Sequence, residues 1–126
     1  MKTEKKIWYG EFDEKYEATF LNGKLHGLLI CWSNSLEPDQ KEYEQTYEHG
    51  VLNGKTRGWD DEGNLEFEGE FKDDKKHGKW LRFWENGQLE MEEHYQQGKL
   101  HGRVREWEDT GELIAEYQYE DGILKS

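Results

Sequence analysis

The chain has one cysteine, one proline and two methionines in 126 residues, and only 33% of its residues are hydrophobic. A lone cysteine, Cys31, excludes an internal disulfide and a cysteine-based metal site, and it allows a reducing compartment. So low an apolar fraction argues against a large compact core of the ordinary globular kind. No run is long enough to cross a bilayer as a helix. The opening Met1-Lys2-Thr3-Glu4-Lys5-Lys6 passes directly into Ile7-Trp8-Tyr9-Gly10, without the apolar stretch of about 7 to 15 residues that an export signal uses. The expected location is cytoplasmic. Basic residues are in deficit too: 17 Lys and Arg against 29 Asp and Glu give a formal charge of −12. That balance repels nucleic acid and anionic lipid, so neither is an expected partner. A basic protein fits better, because opposite charge speeds encounter.

Aromatic residues, by contrast, are plentiful at 14%. Disordered acidic chains are poor in rings, whereas these recur at a fixed interval, the mark of a repeat. The phrase Gly-Lys-Leu-His-Gly occurs at Gly23 to Gly27 and at Gly98 to Gly102, with Lys75-Lys76-His77-Gly78 as a variant. Each final Gly follows an aromatic by seven residues: Phe20 to Gly27, Tyr47 to Gly54, Phe71 to Gly78 and Tyr95 to Gly102. The starts are 27, 24 and 24 residues apart, and Tyr119 adds another 24. A second ring lies twelve residues after each start, at Trp32, Trp59, Phe83 and Trp107, and Trp8 lies twelve before Phe20.

Turn signals punctuate these segments. Asn22-Gly23, His49-Gly50, Gln97-Gly98 and Asp121-Gly122 suit the positive φ of tight hairpins, with Asp73-Asp74 as the outlier. A looser turn recurs at Glu62-Gly63, Asn86-Gly87 and Thr110-Gly111. The intervening stretches are too short for helices and right for strands. The expected fold is therefore all-β: one elongated antiparallel sheet of consecutive 24-residue β-hairpin repeats, about ten strands and roughly 45 Å long. The whole chain, 1–126, reads as one domain, with units starting near residues 20, 47, 71, 95 and 119 and a partial unit at 8–19.

Centring the Asp73-Asp74 turn pairs Glu68 with Lys79. Extending that register predicts a row of alternating charge, Glu44, Lys55, Glu68, Lys79, Glu92, Arg103 and Glu116. A one-residue slip would move every member to the other face, so the row fixes the register. The opposite face carries Tyr43, Thr56, Phe67, Trp80, Met91, Val104 and Ala115, an almost wholly apolar row expected to be buried or concave. The start rings share its parity and are expected to lie across Gly27, Gly54, Gly78 and Gly102, where a missing side chain leaves room. Trp32, Trp59, Phe83 and Trp107 fall on the charged face. They either cap the end of the sheet or form a contact stripe, since Trp and Arg dominate interface hot spots.

The unit from Phe67 to Lys79, FEGEFKDDKKHGK, resembles a MORN repeat, and its continuation Phe83-Trp84-Glu85-Asn86-Gly87-Gln88-Leu89 resembles the bacterial MORN variant of the YwqK family of antitoxin or immunity-like proteins. The resemblance runs from about Trp8 to Ser126. Three extra residues within Ser33 to Gln40, Asp74 in place of a turn Gly, and a last unit reaching Ser126 without its Gly depart from it. It implies a protein that neutralises a cognate toxin by covering its active surface, or, alternatively, a self-assembling scaffold, as a monomer or weak homo-oligomer. The partner-binding residues expected from the ring pattern are Trp32, Trp59, Phe83, Trp84, Trp107 and Arg105. The irregular loop Ser33 to Gln40, with Pro38, is expected to carry specificity.

No enzymatic signature accompanies this pattern. His26, His77 and His101 share a repeat position, but successive hairpins place equivalent residues about 10 Å apart, too far for one metal, and they read as turn-packing residues. Carboxylates repeat with the fold, where an acid–base pair needs an exceptional position in a cleft. Cys31, within Leu28-Leu29-Ile30-Cys31-Trp32, reads as packed. No phosphate loop or nucleophilic serine motif is present. The expectation is a non-enzyme with no cofactor or metal.

Overall fold

The computed structural model describes residues 2–33 and 40–126; most of the irregular loop expected to carry specificity lies outside the described residues. The described residues form one antiparallel sheet of twelve strand segments. They are β1 (Thr3–Tyr9), β2 (Lys15–Leu21), β3 (Lys24–Trp32), β4 (Lys41–Glu48), β5 (Val51–Trp59) and β6 (Leu65–Lys72). The second half continues with β7 (Lys75–Phe83), β8 (Leu89–Gln96), β9 (Lys99–Leu100), β10 (Gly102–Trp107), β11 (Leu113–Glu120) and β12 (Ile123–Leu124). Neighbours in sequence are neighbours in the sheet. The count exceeds the expected ten because β9 and β10 are one hairpin arm interrupted at His101, and because β12 is a two-residue segment.

The tight turns form where the sequence placed them. Asn22-Gly23, His49-Gly50, Gln97-Gly98 and Asp121-Gly122 each hold two successive residues at positive φ, between 50° and 84°. Asp73 and Asp74 adopt the same shape at 51° and 67°. Asp tolerates this left-handed region better than most residues, and Asp74 is held there from outside. Its N–H donates to Leu52 O at 2.9 Å, and its Oδ1 accepts the Leu52 N–H at 2.8 Å. Equivalent bonds join Gly50 N–H to Leu25 O, Gly98 N–H to Lys76 O and Gly122 N–H to Leu100 O, so each turn is stitched to the preceding repeat. The looser turns carry Gly63, Gly87 and Gly111 at φ 85°, 89° and 94°, the left-handed residue that closes a type I hairpin loop.

The register corrects the expected row of charges. Beside the Asp73-Asp74 turn, Lys72, Phe71 and Glu70 pair with Lys75, Lys76 and His77 as expected, but beyond it Glu68 faces Leu81 instead of Lys79. The same two-residue displacement separates Ala18 from Phe20 and Gln45 from Tyr47. Its source is a bulge at Gly27, Gly54, Gly78 and Gly102, whose φ values lie between 73° and 125°. Displacement by two leaves each side chain on its own face, so the faces stand while the partners change. The row across the charged face is Glu17, Ile30, Glu44, Arg57, Glu68, Leu81, Glu92, Arg105 and Glu116.

The row across the opposite face changes partners in the same way, while Thr56, Trp80 and Val104 stay on that face and are buried. That row reads Tyr43, Gly58, Phe67, Arg82, Met91, Glu106 and Ala115. Tyr47, Phe71, Tyr95 and Tyr119 do lie across Gly27, Gly54, Gly78 and Gly102. Room for a ring is not the reason for these glycines: a Cβ on Gly54 would meet Thr46 at 3.0 Å on the charged face, and the bulge conformation is what demands Gly. The glycines that rings lie upon are Gly58 and Gly69, where a Cβ would fall 2.2 Å from the Phe67 and Trp80 rings respectively.

Trp8 shares the spacing of the second ring column but not its place: it pairs with Tyr16 and stacks on that ring at 5.4 Å. The later long-loop hairpins carry one extra bulged residue, as between Gly58 and Trp59, and β1–β2 does not. One residue fewer turns Trp8 to the aromatic face and puts Tyr9 at the end of the strand. The buried apolar residues Ala18, Leu21, Leu29, Cys31, Trp32, Trp80 and Val104 are spread along the sheet, which among the described residues has no second layer.

Candidate protein-binding surface

Trp32, Trp59, Phe83 and Trp107 are the last residues of β3, β5, β7 and β10. The bulge beside each carries the ring onto the edge of the charged face, so the four form one column along the long-loop side. Three are covered by a cation: Lys15 Nζ lies 4.8 Å from the Trp32 ring centre, Lys41 Nζ 5.8 Å from Trp59, and the Arg105 guanidinium 5.1 Å from Trp107. Trp32 is 9% exposed and packed; Trp59, Phe83, Trp84, Trp107 and Arg105 are half-buried. Trp84 stands in the β7–β8 loop and donates its indole N–H to Trp107 O at 3.1 Å. Asn86 and Gln40 reach the next loop in the same way, to Asp109 O at 2.7 Å and Asp61 O at 3.0 Å. The six expected contact residues are thus one connected edge, with Trp32 the least accessible.

Arg105 joins this edge to the middle of the charged face. Its Nε and Nη2 donate to Glu92 Oε1 at 3.1 and 2.7 Å, and Lys79 Nζ lies 3.9 Å from the other carboxylate oxygen. Burial alone would push the Glu92 carboxyl up; the Arg105 hydrogen bond and charge, with Lys79, overrule it and hold the group below its ordinary range. Arg57 and Glu68 pair at 3.4 Å further along the row, beyond Leu81. At the long-loop turns, backbone N–H groups from Asn64 and Glu62 hold the Asp60 carboxyl below the usual range.

On the tight-turn edge, His26 Nδ1 accepts the His49 N–H at 3.2 Å and His101 Nδ1 accepts the Asp121 N–H at 3.3 Å. His26 and His101 thus pack the next turn, as expected of their repeat position. Cys31 is 1% exposed, and burial raises its thiol pKa, with Glu42 adding to the rise. Burial raises the adjoining Tyr16 and Tyr43 phenols as well. Such a thiol is a packed group with little thiolate to attack with.

The aromatic face brings together four rings that the sequence pattern places on that face without indicating their contact. Trp80 stacks on Phe67 at 6.5 Å and meets Phe71 and Tyr95 edge-on at 5.2 and 6.3 Å. Lys76 Nζ lies over both Trp80 and Tyr95, at 4.6 and 5.0 Å. Tyr95 donates to Glu93 Oε1 at 3.2 Å, and burial with that carboxylate pushes its phenol up to about 12. A shallow depression of about 220 Å³ lies here, lined by Phe67, Trp80, Met91 and their charged neighbours. The available signal was Gly58 and Gly69 in mid-strand, since a glycine there marks a close approach.

Gly-bulged hairpins repeat along the sheet, each bonded by its turn to the one before. The family described as MORN repeat variant matches residues 52–73, 76–97 and 100–126, more than half of the chain. The chain belongs to the MORN repeat variant family. Its matched units begin at Leu52, Lys76 and Leu100, whose carbonyls accept the bond from the following turn. MORN geometry extends beyond those units: the Leu25 carbonyl accepts from Gly50, and Gly27 carries the same bulge. No curated protein matches the chain.

Proposed function

We propose that this MORN repeat protein is a non-enzymatic binding module of the cytoplasm that neutralises a basic protein toxin by covering its active surface. The observation that carries the reading is the set of half-buried rings at the long-loop edge, Trp59, Trp84 and Trp107, each pinned by a cation or a hydrogen bond. Cations over Trp59 and Trp107, and the Trp84 indole bond, fix these rings before any partner arrives, which lowers the ordering cost of binding. Rigid aromatics beside an arginine are the composition of interface hot spots. The net charge of −12 favours encounter with a basic protein, and the neutralising role follows the resemblance to the YwqK family.

Affinity capture of the tagged protein from its own cells, with mass spectrometry and a Trp59→Ala/Trp107→Ala control, tests this. One basic protein, recovered by the native chain and lost with the variant, is the expected result. Recovery of a partner equally by both would remove the ring column from the reading. A catalytic partner left fully active in the complex would remove neutralisation.

A further inference from the structure

Each start ring pairs across its tight turn with the second residue after that turn. Elsewhere that residue is leucine: Leu25 faces Phe20, Leu52 faces Tyr47, Leu100 faces Tyr95 and Leu124 faces Tyr119. In the β6–β7 hairpin it is Lys76, which faces Phe71. A second exchange falls on the same hairpin. Two residues beyond each bulged glycine stand Leu29, Thr56 and Val104, but Trp80 after Gly78. The repeat closes with a leucine beside the start ring and a side chain smaller than tryptophan at the other position, so the fold itself requires neither Lys76 nor Trp80.

The two exchanged residues meet on the aromatic face. One side of the Trp80 ring rests on Gly69, and Phe67, Phe71 and Tyr95 stand around it. No second layer covers this face among the described residues, yet Trp80 is only 9% exposed. Lys76 supplies the cover: its Nζ lies 4.6 Å from the Trp80 ring centre and 5.0 Å from that of Tyr95. No carboxylate pairs with this ammonium among the described residues. Glu93, which accepts the Tyr95 hydroxyl, lines the depression of about 220 Å³ beside it and adds negative charge at its rim.

We infer that this depression receives an alkylammonium, the lysine side chain of a protein partner, which displaces Lys76 from between Trp80 and Tyr95. The negative faces of the rings attract an ammonium, tryptophan most strongly, and Lys76 already places that same chemistry in the site. As a tethered occupant it competes at high effective concentration, so it keeps the rings covered until an incoming lysine brings further contacts of its own. The charge of −12 favours approach of lysine-bearing segments. Trp80 lies on the face opposite Trp59 and Trp107, so the site stands whether or not the ring column binds a toxin.

Titration with N-acetyl-lysine methylamide, its Nε-trimethylated form and the uncharged N-acetyl-norleucine methylamide tests this, read from the Trp80 indole N–H in proton–nitrogen correlation spectra. Trp80→Leu identifies that signal among the six tryptophans. Both ammonium probes should move it in the native chain, the trimethylated one more strongly because it is less hydrated, and the norleucine probe should not. Lys76→Ala, which removes the tethered occupant, should bind both ammonium probes about tenfold more tightly. Lys76→Leu, the residue of the other hairpins, should fill the site and abolish the response. A folded Lys76→Ala chain that binds no more tightly than the native one overturns the inference, as does a norleucine probe that moves the signal as far as the lysine probe. Should Lys76→Ala fail to fold, a native chain whose Trp80 signal ignores both ammonium probes overturns it equally.

Discussion

Gly69→Ala should destabilise the sheet by about 3 kcal/mol, the upper part of the range for overpacking. The Cβ would fall 2.2 Å from the Trp80 ring, and that ring cannot simply move aside. It is stacked against Phe67, met edge-on by Phe71 and Tyr95, and its indole N–H donates to Glu70 O at 3.0 Å. Gly87→Ala is the contrast. Gly87 has φ 89° but open space around it, so its cost is conformational strain of about 1–2 kcal/mol. Chemical denaturation of both variants measures the difference. In a Trp80→Leu background the Gly69→Ala penalty should shrink, because the clashing ring is gone. Equal costs in both backgrounds would mean that the ring does not rest on Gly69.

Arg105→Met should cost about 3 kcal/mol at neutral pH, because it strips the main partner from a buried carboxylate. Glu92 is 5% exposed, and Lys79, at 3.9 Å, is a poor substitute. The pH dependence follows from the direction of the Glu92 shift. A carboxyl held below its ordinary value in the folded state adds stability above its unfolded pKa, near 4.3, and that stability is lost as pH falls through the folded value. In Arg105→Met the carboxylate is desolvated without compensation, so acid relieves the variant while it harms the native chain. The gap between the two should therefore narrow from pH 7 toward pH 3 in urea unfolding series. Glu92→Met in the Arg105→Met background should restore much of the loss at neutral pH, since no charge remains unpaired.

The repeat, the strands, the turns and the two faces were legible in the sequence because each leaves a local mark. Gln97-Gly98 and Asp121-Gly122 declare left-handed turns, and period-2 parity assigns faces without knowledge of partners. Strand partners were not legible. A bulge at Gly78 adds two residues to one arm of its hairpin, and no local preference distinguishes Lys79 from Leu81 as the neighbour of Glu68. Parity survives that displacement, whereas the single-residue difference at β1–β2 sets Trp8 on the other face from Trp32, Trp59, Phe83 and Trp107 despite the shared spacing. The ring column at Trp32, Trp59, Phe83 and Trp107 was visible by spacing. The cations above it were not, because Lys15, Lys41 and Arg105 reach their rings from different sequence offsets. Parity put the rings around Trp80 on one face, but their close packing was not legible for a related reason: it depends on Gly58 and Gly69, whose contribution is an absent side chain.

The central claim, binding of a protein partner through the pinned ring column, is tested most directly by titrating the captured partner calorimetrically against the native chain and against Trp59→Ala/Trp107→Ala. Two hot-spot rings at about 2 kcal/mol each correspond to a loss of affinity of about a thousandfold, with the variant still folded by circular dichroism. An affinity unchanged in the folded variant would contradict the claim.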